Sequence, residues 1–421
     1  TWEHAADDVE ARLSALAVEP RSTSTQVAVP ELRVDAPSAV PVEDSTRLAV
    51  RWGGMALDFS GYARVSRLVL PELQRRGVDV QLDSYARDER FTKSLESDPA
   101  EARRWLGLLK NKVERGLYVS FHPAAGWNGG PIWSAKRREN PGFDAYAGFT
   151  MFETDRLPRG WTDEAARMDE VWVPSRFNLE TFANAGIPRE KLRLLQPGLD
   201  LAPWRADVTP LEIEGEKRFT FLSVFQWTRR KGWDVLLDAW ARAFGPDDDV
   251  RLVLRAYPGY RKDPPLAQRI DAFLATLGRS RADCAPIVLL ERFVSEQDMP
   301  RLYAAADAFV LPTRGEGWGL PYLEAMAAGL PVIGTRWSGQ LDFLDDATGY
   351  LIDVEDLEPV GAEMTTENPY YEDGHLWARP SVEHTAALMR RVFTERAEAA
   401  SRASAARARV HDEWGSERSG V

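Results

Sequence analysis

The chain has 421 residues, with 65 acidic against 53 basic side chains and a formal net charge of −12. Its length exceeds one ordinary core and suits two α/β domains with a cleft, and the acidic balance argues against a nucleic-acid partner, because phosphate backbones need a basic face. The single cysteine, Cys284, excludes an internal disulfide, a structural zinc site and an iron–sulfur cluster and reads as a small buried residue; with no run of about 18 apolar residues to span a bilayer, a soluble, cytoplasmic protein is expected.

Residues 1–19 read as a helix and 20–45 as a linker rich in Ser, Thr, Pro and Val. From 46 to 205 the runs Leu48–Arg51, Val78–Leu82, Leu117–Phe121, Ala145–Phe149, Val171–Val173 and Leu192–Leu195 are predicted strands alternating with helical patterns, which calls for a parallel sheet. The helix between the first two places Val65, Leu68, Val69 and Leu73 on one face and ends at Arg75-Arg76-Gly77. Trp52–Tyr62 reads as a glycine-rich loop after the first strand, containing Gly53-Gly54 and Ser60-Gly61. It lacks the Gly-x-Gly-x-x-Gly spacing, which sets aside a nicotinamide dehydrogenase. Arg103–Lys110, followed by Lys112 and Arg115, is a surface helix or, alternatively, a basic stretch lying on an anionic membrane face. His122 directly follows a predicted strand, as a site residue or a structural histidine. Glu153 follows another, facing an acceptor or capping a helix.

Gly198–Val208 has the prolines and glycine of a hinge. A second alternation occupies 206–380, with strands predicted at Phe219–Phe225, Arg251–Arg255, Ile287–Leu290, Ala308–Leu311, Val332–Gly334 and Tyr350–Ile352. These describe a doubly wound sheet, whose chemistry belongs in the loops after the strands' carboxyl ends. Residues 355–380 read as a long loop, and 381–421 as closing helices that cross back to the first domain.

The segment 311–334 is the most informative. A strand runs into a loop holding Gly315, Gly317 and Gly319, and Pro321 then prepares a helix. Glycines let backbone approach a ligand, and a helix start offers free N–H groups to a phosphate. Glu316 and Glu324 flank this cradle, and carboxylates accept hydrogen bonds from sugar diols. After the strand Phe219–Phe225, Arg230 and Lys231 are placed to neutralise a leaving diphosphate.

A Glu, seven residues, then Glu in such a turn resembles the signature of retaining glycosyltransferase family 4. That resemblance implies an α/β, GT-B fold of two Rossmann-like doubly wound domains facing across a cleft. It implies Glu316 at the donor sugar, Glu324 at the ribose, and Lys231 and His122 as further catalytic groups. Donor binding falls by resemblance to Arg230, Gln226, Gly317, Trp318, Gly319, Leu320, Gly54 and the loop of Arg292, Phe293 and Val294, with Ser60, Gly61, Tyr62 and Glu153 on the acceptor side. The family has an Arg where this chain has Gln226, so either Arg229 or Arg230 substitutes for it or Lys231 alone suffices. Segments Val171–Asn178, Leu195–Asp200, Glu291–Ser295 and Thr335–Gly339 extend the likeness over about residues 48–400.

The expected reaction moves a sugar from a UDP-, GDP-, ADP- or TDP-sugar to a hydroxyl of a glycan, glycolipid or small molecule, without metal or cofactor. The alternative is a non-catalytic nucleotide-sugar-binding or scaffolding domain. Residues 1–19 look like a family closing helix placed at the start, which suggests one unit of a longer chain with tandem transferase domains.

Overall fold

The computed structural model describes residues 48–85, 88, 91, 95, 98–205, 207–215, 218–258, 264–292 and 294–415; the expected helix 1–19, the linker 20–45 and Phe293 lie outside them. Among the described residues, fourteen strands follow in order: β1 Ala49–Gly54, β2 Asp79–Ser84, β3 Leu117–Phe121, β4 Ala145–Phe149, β5 Glu170–Val173, β6 Leu192–Leu194, β7 Phe219–Trp227, β8 Val250–Pro258, β9 Ile287–Leu289, β10 Ala308–Leu311, β11 Val332–Thr335, β12 Tyr350–Ile352, β13 Val354–Pro359 and β14 Leu376–Pro380. The first twelve form two parallel six-stranded sheets, ordered β2-β1-β3-β4-β5-β6 and β12-β11-β10-β7-β8-β9.

Two sequence expectations need correction. β1 continues through Gly53 and Gly54, so the expected loop Trp52–Tyr62 shrinks to the stretch before a helix starting at Gly61. Glycine fits there because a Cβ on Gly53 would meet the Tyr118 hydroxyl at 2.6 Å. The expected loop 355–380 contains the antiparallel hairpin of β13 and β14 around the helix Ala362–Glu367. β13 is largely exposed and ends in Pro359, so it shows no apolar alternation.

The sequence explains most elements locally. β3, β4, β10 and β11 are buried along their whole length, and β7 everywhere except Gln226, the continuous apolar pattern of strands covered on both faces. Helix starts are capped by hydroxyls and a carboxylate: Ser60 accepts from the Ala63 amide, Asp98 from those of Ala100 and Glu101, Ser175 from Asn178 and Ser381 from His384. In the helix Pro99–Lys110, Trp105 and Leu108 are buried and the Trp105 indole donates to Glu101 at 2.7 Å, so the apolar stripe packs inward. Leu106 remains half exposed. No described helix is long and apolar enough to cross a membrane.

The described chain falls into two compact units, one holding the residues before Pro123 together with Ala135–Gly148, the other Pro123–Ser134 and the residues from Phe149 onward. In the second unit the helix Val382–Thr394 packs on Trp233–Ala243, and Arg396–Glu413 packs on Leu320–Ala327. Strand order there reverses between β7 and β10, the arrangement that opens a ligand crevice at the carboxyl ends of two neighbouring strands.

Gly232, between β7 and the helix Trp233–Ala243, holds φ 68° and ψ 29°. An added Cβ would collide with the Pro312 carbonyl oxygen in the loop after β10. Left-handed strain and a backbone clash therefore act together, and Gly232→Ala is expected to destabilise the fold by more than about 2 kcal/mol in chemical denaturation. An unchanged denaturation midpoint would show that the two loops are not in backbone contact.

Candidate functional site

The loop after β7 is short and tightly held. Trp227 at the strand end stacks on Trp233 at the helix start, ring centroids 5.1 Å apart, so the turn Arg229–Lys231 between them has little freedom. The loop after β10 runs from Pro312 to Gly319, which takes φ 101° before the helix Leu320–Ala327. The Arg314 amide donates to the Arg230 carbonyl at 2.7 Å and the Thr313 hydroxyl lies 3.1 Å from the same oxygen. Backbone thus meets backbone at the strand-order reversal.

Their charged side chains meet as well. Lys231 Nζ is 2.6 Å from Glu316 Oε1, to which the Thr313 hydroxyl also donates at 3.0 Å. Arg230 lies 3.4 Å from Glu316 Oε2, donates to the Gly315 carbonyl at 2.7 Å and reaches Glu153 Oε1 at 3.4 Å. The Tyr371 hydroxyl, from the segment between β13 and β14, donates to Glu153 Oε2 at 3.0 Å. Two cations and two carboxylates therefore form one largely buried, charge-balanced cluster.

Burial sets its electrostatics. It pushes Lys231 below the ordinary lysine value, with Arg230 adding to the shift and Glu316 opposing it. For Glu316 burial alone would raise the carboxyl, but Lys231 and Arg230 outweigh it and hold the group below its ordinary value. Burial and the neighbouring Glu153 keep Tyr371 protonated, well above its ordinary value, so its hydroxyl serves as a donor.

A second ion pair fixes the frame. Arg314 makes a bidentate contact with Asp234, both bonds 2.8 Å, and bonds Glu358 of β13 at 2.6 Å. Burial works against this charge pair, yet Arg314 still draws Asp234 below its ordinary value. Removing one partner from such a buried pair costs about 3–5 kcal/mol. Arg229, the outer cation, lies 3.3 Å from Asp234. The Glu316 amide donates to the Ser338 hydroxyl at 2.9 Å, and Ser338 holds φ 78°, a left-handed value unusual for a residue with a side chain.

The remaining expected residues are placed as follows. Glu324 is buried in the helix after the loop and accepts from the Tyr303 hydroxyl at 2.8 Å. Gly317 lies against Met151, where a Cβ would clash. The Trp318 ring turns into the core, 5.0 Å from Phe343 and 5.2 Å from Trp414, and Leu320 is buried at the helix start. Gln226 is exposed at the end of β7. Arg292 is exposed and donates to the Glu212 carbonyl, while Val294 is buried. In the other unit His122 is buried beside Tyr85, ring centroids 5.1 Å apart, and Gly54 packs against Phe121. Ser60 caps the helix that Gly61 begins, and the Tyr62 ring lies 4.8 Å from Phe121.

Thr313, Ser338 and Tyr371 were not among the expected site residues. Ser338-Gly339 carries a turn signal, but Tyr371 is brought to Arg230 only by tertiary folding.

Known proteins agree with this architecture. Residues 216–366 match the family model described as Glycosyl transferases group 1. A GDP-mannose-dependent alpha-(1-6)-phosphatidylinositol monomannoside mannosyltransferase of Mycolicibacterium smegmatis is 30% identical over 211 residues, 46% of this chain and 51% of that protein. O-antigen chain mannosyltransferase B of Escherichia coli is 40% identical over 72 residues, 17% of this chain and 19% of that protein. The chain thus spans about half the length, or less, of these curated relatives. Among solved structures, sucrose-phosphate synthase from Thermosynechococcus elongatus superposes with a TM-score of 0.59 at 17% identity, covering 88% of this chain and 95% of the other. The Anabaena protein HepE in complex with UDP and glucose gives 0.58 at 14% identity, covering 88% and 96%. The chain has the GT-B fold of these solved structures, and its residues 216–366 are similar to glycosyl transferases of group 1.

Proposed function

We propose that this chain is a retaining, metal-independent glycosyltransferase of family 4 that moves a sugar from a nucleotide-diphosphate sugar to a hydroxyl acceptor. The observation that carries this reading is the contact of Lys231 with Glu316 at the reversal of strand order. In this reading Lys231 is the cation for the leaving phosphates and Glu316 the carboxylate for the sugar hydroxyls. The names of the mannosyltransferase relatives make GDP-mannose the first donor to test.

In the proposed reaction the bond from the sugar's anomeric carbon to the phosphate oxygen breaks, and its electron pair stays on the diphosphate. Lys231 and the N–H groups at the start of the helix Leu320–Ala327 stabilise that charge. The acceptor oxygen bonds to the anomeric carbon on the face the phosphate leaves, and its proton passes to a phosphate oxygen. Glu316 holds sugar hydroxyls, and Glu324, fixed by Tyr303, holds the ribose. The acceptor is a glycan, glycolipid or small molecule. With Lys231 and the helix N–H groups at the diphosphate site, a divalent ion is not required. The reading places the reaction in the cytoplasm, with the first-unit helix Pro99–Lys110 as the element nearest in character to a membrane contact.

In a thermal-shift screen of GDP-, UDP-, ADP- and TDP-sugars, at least one donor is expected to raise the melting temperature. Glu316→Ala is expected to lower transfer from that donor by about 10²–10³-fold. Transfer at parental rates by the variant would remove the basis of the assignment.

The lysine also sets an alkaline limit. Lys231 must be protonated to meet phosphate, and burial holds its folded value below the ordinary one. Activity is therefore present below that lowered value and lost as pH rises through it. The profile of kcat/KM, which reports the free enzyme, is expected to fall before the ordinary lysine value of about 10.4. Lys231→Arg should move the fall upward, because a guanidinium stays charged; a fall at the same pH in that variant would contradict the role.

Chelation by EDTA is expected to leave the transfer rate within about twofold, and a loss restored by added Mg²⁺ or Mn²⁺ would exclude the metal-free route.

A further inference from the structure

A further buried cation of the second unit lies outside the cluster around Glu316. Arg255 lies on β8 and is 9% exposed. In the parallel register Val224 of β7 pairs with Arg255, and Gln226 pairs with Tyr257. Side chains two apart along a strand share a face, so Val224, Gln226, Arg255 and Tyr257 belong to one face of the sheet. The Arg255 guanidinium carbon lies 5.4 Å from the Tyr257 ring centroid. Its charge therefore reaches toward the carboxyl edge, where Gln226 and Tyr257 are exposed.

Burying a cation is costly unless a carboxylate neutralises it. Arg314 follows that rule with Asp234 and Glu358, and so does the part-buried Arg230 with Glu153 and Glu316. Arg251, earlier on the same strand, bonds the Thr220 hydroxyl at 2.9 Å and the Glu214 carbonyl at 3.3 Å. Arg255 has no carboxylate partner among the described residues. An aromatic face orients a guanidinium without cancelling its charge, and its N–H donors then suit an anion.

We propose that Arg255 is a second cation of the donor site and binds a phosphate of the nucleotide sugar beside Gln226, where the resemblance leads one to expect an arginine. This rests on the donor-site reading above. The two substitutes suggested by sequence are already engaged: Arg229 pairs with Asp234, and Arg230 with Glu153, Glu316 and the Gly315 carbonyl. Arg255 is one strand over, and only its side chain enters the edge.

The test measures inorganic pyrophosphate binding by calorimetry for the full chain and for Arg255→Met, Arg255→Gln, Arg255→Lys and Lys231→Met. Both neutral variants are expected to bind about tenfold or more weakly, while Arg255→Lys stays within about threefold of the parent. Because an unneutralised buried charge is removed, the melting temperature of Arg255→Met should rise, which a packing role would not produce. Parental pyrophosphate affinity in both neutral variants overturns the proposal, and so does a lowered melting temperature or loss of folding in both. If Lys231→Met weakens pyrophosphate binding while the Arg255 variants do not, only the role of Arg255 falls. If Lys231→Met leaves binding unchanged, the donor-site reading and this proposal fall together.

Discussion

The second unit is organised by the need to bring two loops into contact where the strand order of its parallel sheet reverses. The loop after β7 and the loop after β10 touch through backbone at Gly232 and Pro312, and through charge at Lys231 and Glu316. Either contact alone would be weak specification. The absence of a side chain at Gly232 permits the approach, and the approach gives the lysine a carboxylate within hydrogen-bond reach. Since like charges at Arg230 and Lys231 are adjacent in sequence, Glu153 and Glu316 are what make their shared burial tolerable.

The hairpin of β13 and β14 has a part in that arrangement although it belongs to neither six-stranded sheet. Through Glu358 it holds Arg314, and through Tyr371 it holds Glu153. It also bonds the segment after β4 directly: Leu376 donates to Asp155 at 2.7 Å, and the Asp155 amide donates to the Leu376 carbonyl at 2.9 Å. Phe152 packs on Tyr371 with ring centroids 5.0 Å apart. The segment bearing Glu153 is thus fastened to the hairpin by polar and aromatic contacts together. Strain is stored where it is useful, at Ser338, whose left-handed backbone presents its hydroxyl to the Glu316 amide.

Much of this was legible in the sequence because burial and backbone geometry leave local marks. The twelve sheet strands are short apolar runs between breakers, and Gly315, Gly317 and Gly319 punctuate the loop that carries Glu316. Lys231 was legible because it follows an apolar strand directly. The hairpin was not, since β13 itself carries acidic, partly exposed residues and has no periodicity to reveal it. Tyr371 and Arg255 were missed for a different reason. Tyr371 matters through a residue 218 positions away, and Arg255 sits inside a run that sequence patterning reads only as strand. Trp318 illustrates the converse, a residue in the informative loop whose ring faces Phe343 and Trp414.

That last contact ties the loop carrying Glu316 to a distant stretch of chain. Trp414 follows the long helix Arg396–Glu413, and its carbonyl accepts from the Leu199 amide at 3.1 Å while its ring supports Trp318. Shortening the protein ahead of this tryptophan, or fusing a bulky tag against it, would withdraw a buttress from beneath the loop that carries Glu316. Expression boundaries chosen for convenience there would thereby loosen that loop without touching any member of its charged cluster.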